Sequence, residues 1–153
     1  MFHRVATRPL LAAFCLMGGA LLGPGAHAAG PPPHSRDGVE FMSGGIGQDQ
    51  ARLMEEQAPH WPATLEFAVQ DHGHSAFAAN VHVTVRQAGH DEPVLRNVTA
   101  EGPFLMARLA PGHYEVEATL AGQTLRRTLT VQSGKPSRAL FLWPAGTDMG
   151  APS

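Results

Sequence analysis

Apolar and polar residues alternate through much of the second half of the chain. Tyr114, Val116, Ala118 and Leu120 are apolar, while Glu115, Glu117 and Thr119 between them are polar. A period of two places the two sets on opposite faces of a strand. After a turn at Ala121-Gly122-Gln123 the alternation resumes, with Leu125, Leu129 and Val131 set against Thr124, Thr128 and Thr130. Arg127 interrupts the inward set, which predicts a strand half exposed or near an edge. Upstream, Ala110-Pro111-Gly112 combines the fixed φ of proline with the conformational freedom of glycine, as a turn requires. It joins this pair to a third strand that begins at Phe104.

The same period appears earlier in the chain. Leu65, Phe67 and Val69 alternate with Glu66, Ala68 and Gln70, and Val81, Val83 and Val85 alternate with His82, Thr84 and Arg86. Turns at Gly89 to Glu92 and at Glu101-Gly102-Pro103 flank a strand from Val94 to Thr99. Ser133-Gly-Lys-Pro136 turns the chain into a last strand, Ala139 to Trp143, that is apolar on both faces. These segments predict an all-β fold, a seven-stranded antiparallel β-sandwich.

A different period marks one segment before the sandwich. Ala51, Met54 and Ala58 recur at helical spacing and predict one short N-terminal helix from Gln48 to Gln57, ended by Pro59. A helix of this length does not hold alone in water, so its stripe must dock. The expected seat is the outer side of the last strand, Leu140 and Leu142, or an open end of the sandwich, with Trp61 pinning the far end.

Residues 1–28 read as a signal peptide. Arg4 and Arg8 precede an apolar run from Leu10 to Leu22, and Ala26-His27-Ala28 sets cleavage between Ala28 and Ala29. The run is shorter than the ~20 residues that span a bilayer, and Phe14 stands where a lipidated Cys15 would need a small residue. The organisation expected is therefore a leader (1–28), a Pro-rich linker (29–38), a Gly-rich turn with the short helix (39–62), a β-sandwich domain (63–144) and a loose tail (145–153). The implied location is the periplasm or the exterior, with no membrane contact after cleavage.

Charge narrows the partners. Of 11 Lys and Arg residues two leave with the leader, so 9 basic side chains face 13 acidic ones and no basic patch remains. This excludes nucleic acid. The single cysteine, Cys15, lies in the leader, so a mature chain has no disulfide and is held by packing.

Candidate chemistry is sparse. His72-Gly73-His74 presents two imidazoles from one turn, as a copper or zinc site would need, with His82 and His90 in adjoining segments and Asp71 as the only carboxylate next to the pair. The Ser43-Gly-Gly-Ile-Gly47 loop precedes a helix, but Gln48 and Asp49 follow where a phosphate site would place Lys and Ser or Thr. No Gly-x-Ser-x-Gly elbow is present, and Ser75 and Ser133 lie in turns without an evident base. Trp61 and Phe77 are the aromatics available for stacking on a sugar. No cofactor and no catalytic residue is implied.

Residues 109–116, Leu-Ala-Pro-Gly-His-Tyr-Glu-Val, followed by an aliphatic strand, a Gly turn and a Thr/Val strand, resemble the carboxypeptidase regulatory-like domain, within the wider transthyretin-like and Cna-B-like β-sandwiches. Phe41-Met-Ser-Gly-Gly-Ile-Gly47, the Gly102-Pro103-Phe104 step and the closing Phe141-Leu-Trp143 extend the resemblance to a group of small secreted proteobacterial proteins. The resemblance covers roughly residues 39–144 and implies a transthyretin-like fold. It carries over no peptidase activity, because the zinc-binding catalytic domain that such modules accompany is missing. It carries over no hydroxyisourate hydrolase activity either, since the terminal Tyr-Arg-Gly-Ser signature of those relatives is replaced by Met149-Gly-Ala-Pro-Ser153. The function expected is a non-catalytic periplasmic module that binds an envelope protein or an extracellular polymer. The alternative is a metal-binding protein using His72 and His74.

Overall fold

The computed structural model describes residues 30–147; the expected leader and cleavage site and most of the expected tail lie outside them. In chain order the elements are β1 (His34–Arg36), β2 (Val39–Gly44), α1 (Gln48–Gln57), a 3-10 turn (Ala58–His60), β3 (Ala63–Asp71), β4 (His74–Phe77), β5 (Val81–Gln87), β6 (Pro93–Ala100), β7 (Phe104–Ala107), β8 (Gly112–Leu120), β9 (Gln123–Val131) and β10 (Ser137–Trp143).

Two sheets bury one apolar layer between them. The first has the order β1-β2-β7-β3-β10, with β4 also paired to β3; the second has the order β6-β5-β8-β9. Inward residues of both meet in a single core, with Leu65, Phe67, Phe141 and Trp143 from the first sheet and Val83, Val85, Val116 and Leu129 from the second. Phe67, Phe141 and Trp143 pack as an aromatic group with centroids 5.7–6.3 Å apart, Phe67 tilted against both and Phe141 stacked on Trp143.

Three sequence expectations are corrected. The described residues hold ten strands, not seven. Of the additional ones, β1 follows three prolines and β4 runs into small residues, while β2 is buried on both faces from Phe41 to Gly44 and so shows no alternation. The fold is also not purely antiparallel, because β10 runs parallel to β3, pairing Phe141 with Phe67 and Trp143 with Val69. Finally, α1 does not seat on the outer side of β10, where Leu140 stays 47% exposed. Its Met54 and the following Ala58 and Trp61 instead bury against Met42 of β2 and Phe104 and Met106 of β7, a second apolar cluster on the outer face of the first sheet. Those three side chains form a wider apolar seat than the outer face of β10, where Arg138 stands beside Leu140 and pairs with Glu66 at 2.7 Å.

The alternation read at Tyr114 holds. Tyr114 is buried with Val116, Ala118 and Leu120, and its hydroxyl donates to the Ala110 carbonyl at 2.5 Å, tying β8 to the turn that brings the chain across from the first sheet. Arg127 is exposed although it shares the inward register with Leu129, because β9 is the edge strand of the second sheet, as expected. On the outer face of the second sheet, Arg126 beside Glu117 holds that carboxyl below its usual range, helped by Arg86.

Burial pushes the Tyr114 hydroxyl above its ordinary pKa of 10.0. The folded chain therefore keeps its proton when the unfolded chain has begun to lose it, so stability is intact below about pH 10 and declines as pH rises further. Denaturant unfolding as a function of pH should show this decline, and Tyr114→Phe should flatten it while costing about 1 kcal/mol at neutral pH for the lost hydrogen bond. Tyr114→Ala should cost ~3–5 kcal/mol.

Candidate functional site

The clearest surface irregularity lies where β3 exchanges one neighbour for another. Residues 63–66 of β3 pair with β7, and residues 68–71 pair with β4. Phe67 marks the change: its N–H donates to Pro103 O at 2.8 Å, and its carbonyl accepts from Ala78 N at 3.0 Å. Beyond β7 the sheet continues into β2, but β2 ends at Gly44 opposite Phe104, and the chain leaves the sheet through Gly45-Ile46-Gly47 into α1. Nothing among the described residues pairs with the outer side of β4.

Backbone alternation defines what that edge offers. Because Ala78 bonds inward to Phe67, the antiparallel ladder turns Ala76 toward β3 and leaves the N–H and C=O groups of Ser75 and Phe77 facing outward. Phe77 is 54% exposed, its ring held against Phe104 at a centroid distance of 5.8 Å. Beside it a notch of about 500 Å³ is lined by Gly45, Gly47, Ala51, Arg52, Glu55 and Phe77. Ile46, 65% exposed, tops the adjoining loop.

The loop that displays Ile46 is fixed. Gln50 Oε1, one turn into the helix, accepts from Gly45 N at 2.8 Å and from Ile46 N at 3.0 Å. Gln50 thus closes the loop from within and holds Ile46 in place. Gly45 has φ 101°, and a Cβ there would fall 2.5 Å from Cδ2 of the buried Phe104. A side chain is excluded at Gly45 on both grounds.

The other strand edges are occupied by side chains. Along the seam between β9 and β10, Ser137 Oγ donates to Thr130 O at 2.6 Å, Trp143 Nε1 to Gln123 O at 3.0 Å, and Arg127 Nε reaches Leu140 O at 3.4 Å. On the opposite seam, Arg36 Nη1 donates to Asn97 O at 3.1 Å, and Arg96 N donates to Asp37 Oδ2 at 3.2 Å. The outermost strand, β1, is three residues long and follows Pro31-Pro32-Pro33. Such devices block edge pairing; on β4 only its shortness does so.

The residues singled out from sequence fall elsewhere. His72 and His74 stand at the tip of the β3–β4 hairpin, where His72 Nδ1 lies 2.6 Å from Asp71 Oδ1 with its side chain 97% exposed. Asp71 and His74 are cross-strand partners in the ladder. No group of three or more His, Cys, Asp or Glu among the described residues is arranged to hold a metal ion. His82 Nδ1 lies 3.3 Å from Thr99 Oγ1 on the outer face of the second sheet. Trp61 is buried at the end of α1, so of the two candidate stacking aromatics only Phe77 is presented. Sequence reading missed the edge of β4, because Ala76-Phe77-Ala78-Ala79 carries no alternation; the one available signal was a phenylalanine isolated among small residues.

No family model matches the chain, and no curated protein is significantly similar to it.

Gly45→Ala should destabilise the domain by about 2–4 kcal/mol, from backbone strain and the collision with Phe104. Ile46→Asp, one residue on, should leave the stability within ~0.5 kcal/mol of the parent. Urea unfolding of the two variants checks the contrast.

Proposed function

We propose that the chain is a non-catalytic, extracytoplasmic β-sandwich module, of the transthyretin-like kind, that binds an extended segment of a protein partner by strand addition at β4. The observation that carries the reading is the outward backbone of Ser75 and Phe77 on a strand edge that no side chain among the described residues bridges, set beside an exposed Phe77 and a rigidly displayed Ile46. Strand addition draws affinity from main-chain hydrogen bonds and specificity from apolar pockets along the strand, and both kinds of group are present here. The secretory leader supports a partner in the periplasm or outside the cell. The two-sheet core and the Tyr114 bond to the Ala110-Pro111-Gly112 turn support the fold assignment. An envelope protein fits a strand-binding edge better than an extracellular polysaccharide, which lacks a peptide backbone to pair.

Peptides selected from a random displayed library against the folded domain should bind in extended form and slow amide hydrogen exchange at Ser75 and Phe77. Ser75→Pro removes one outward donor without touching a bond to β3, and Phe77→Asp removes the apolar anchor. Each should weaken binding at least about tenfold while the melting temperature stays near that of the parent. Peptides that bind both variants as well as the parent would show that β4 is not the site.

A further inference from the structure

A second concavity lies at the opposite end of α1 and has a different chemistry. Its volume is about 330 Å³, and its walls come from Pro59 to Pro62, from Arg108 to Pro111, and from the hairpin Val131 to Pro136. Four prolines with Leu109 and Val131 make most of the wall apolar and stiff. Two permanent cations, Arg108 and Lys135, line it with His60, and no carboxylate among the described residues does.

Arg108 is held in a fixed pose. Its guanidinium stacks over the Trp61 ring, 4.3 Å from the centroid, and its Nε donates to Glu40 Oε1 at 2.8 Å. The backbones of the same two residues are joined as well, Arg108 N to Glu40 O at 2.9 Å. These contacts consume one of the five guanidinium N–H groups. Nη1 and Nη2 have no acceptor among the described residues, nor does the Lys135 ammonium. A planar fork immobilised on an indole has already lost much of the freedom that ligand binding would otherwise remove. Glu40 offsets part of the charge of Arg108, so the site suits a single negative charge better than a dianion.

We propose that this cleft binds a monocarboxylate with a compact apolar body. The carboxylate would accept from the Arg108 fork and from Lys135, in the bidentate geometry that a guanidinium offers to two oxygens. The apolar body would lie on the prolines, Leu109 and Val131. This site is separate from the edge of β4, and it stands whether or not that edge binds a peptide.

The two tryptophans allow a direct test on the folded domain. Trp61 lies under Arg108, whereas Trp143 is buried in the main core with its Nε1 bonded to Gln123 O. Benzoate titrated into labelled protein should shift the Trp61 indole N–H resonance saturably and leave that of Trp143 in place. Benzamide, a neutral analogue of the same shape, should bind about tenfold more weakly or worse, and inorganic phosphate should also bind more weakly. Lys135→Gln, at an exposed turn, should reduce benzoate affinity several-fold without changing the melting temperature, and Arg108→Gln should reduce it further. The proposal is overturned if benzoate produces no saturable shift, if benzamide or phosphate binds as well, or if benzoate binding is unchanged in Lys135→Gln and Arg108→Gln.

Discussion

Burial of β7 on both faces is the constraint on which the rest of the molecule depends. Phe104, Leu105, Met106 and Ala107 are all buried. Leu105 and Ala107 belong to the layer between the sheets, while Phe104 and Met106 belong to the cluster under α1. A strand of four residues thus couples two apolar clusters, as its neighbour β2 does through Phe41 and Met42. The ten-residue helix, too short to persist alone, acquires its stability from this outer seat. The seat in turn excludes water from a strand with no polar face to offer it.

The same constraint sets the shape of the surface. To reach the outer face of β7 the chain must leave the sheet at Gly44, turn through Gly45 to Gly47 and lay α1 back over β2 and β7. That departure removes the strand that would have continued beside β4. An unpaired edge, an exposed Ile46 and a notch against Phe77 follow from one change of direction. At the other end of the helix, Trp61 seals the cluster, and Arg108 covers Trp61. Both concave regions are consequences of seating a helix on a sheet, and they differ because one is rimmed by backbone and apolar side chains, the other by cations and prolines.

How much of this was legible beforehand varies by element, for physical reasons. Alternation at Tyr114 to Leu120 specified a strand, its inward face and the need for a hydroxyl partner, because a half-buried strand imposes its period directly on residue type. The stripe Ala51, Met54, Ala58 specified a helix and its buried side. The seat of that helix was not legible. Phe104-Leu-Met-Ala107 and Ala139-Leu-Phe-Leu-Trp143 are both apolar runs, and a run without alternation indicates two-sided burial without saying what covers it. The first is covered by α1, whereas the outer face of the second leaves Leu140 exposed. Parallel pairing of β10 with β3 depends on how the chain crosses between sheets, which no local pattern records. The open edge of β4 is likewise a relation between distant segments, and the His72–His74 turn drew attention to the same hairpin for another reason.

The central claim is that β7 makes the helix and the two sheets one cooperative unit. Incorporating 5-fluorotryptophan separates the two reporters, Trp61 in the outer cluster and Trp143 in the main core. Urea unfolding followed by fluorine NMR should give both resonances the same midpoint and the same slope. Met54→Asp, which places a charge at a fully buried site under the helix, should lower both midpoints together, by an amount corresponding to about 3 kcal/mol or more. If Trp61 is released at lower urea than Trp143, or if Met54→Asp shifts Trp61 alone, the helix is an independent appendage and the account is contradicted.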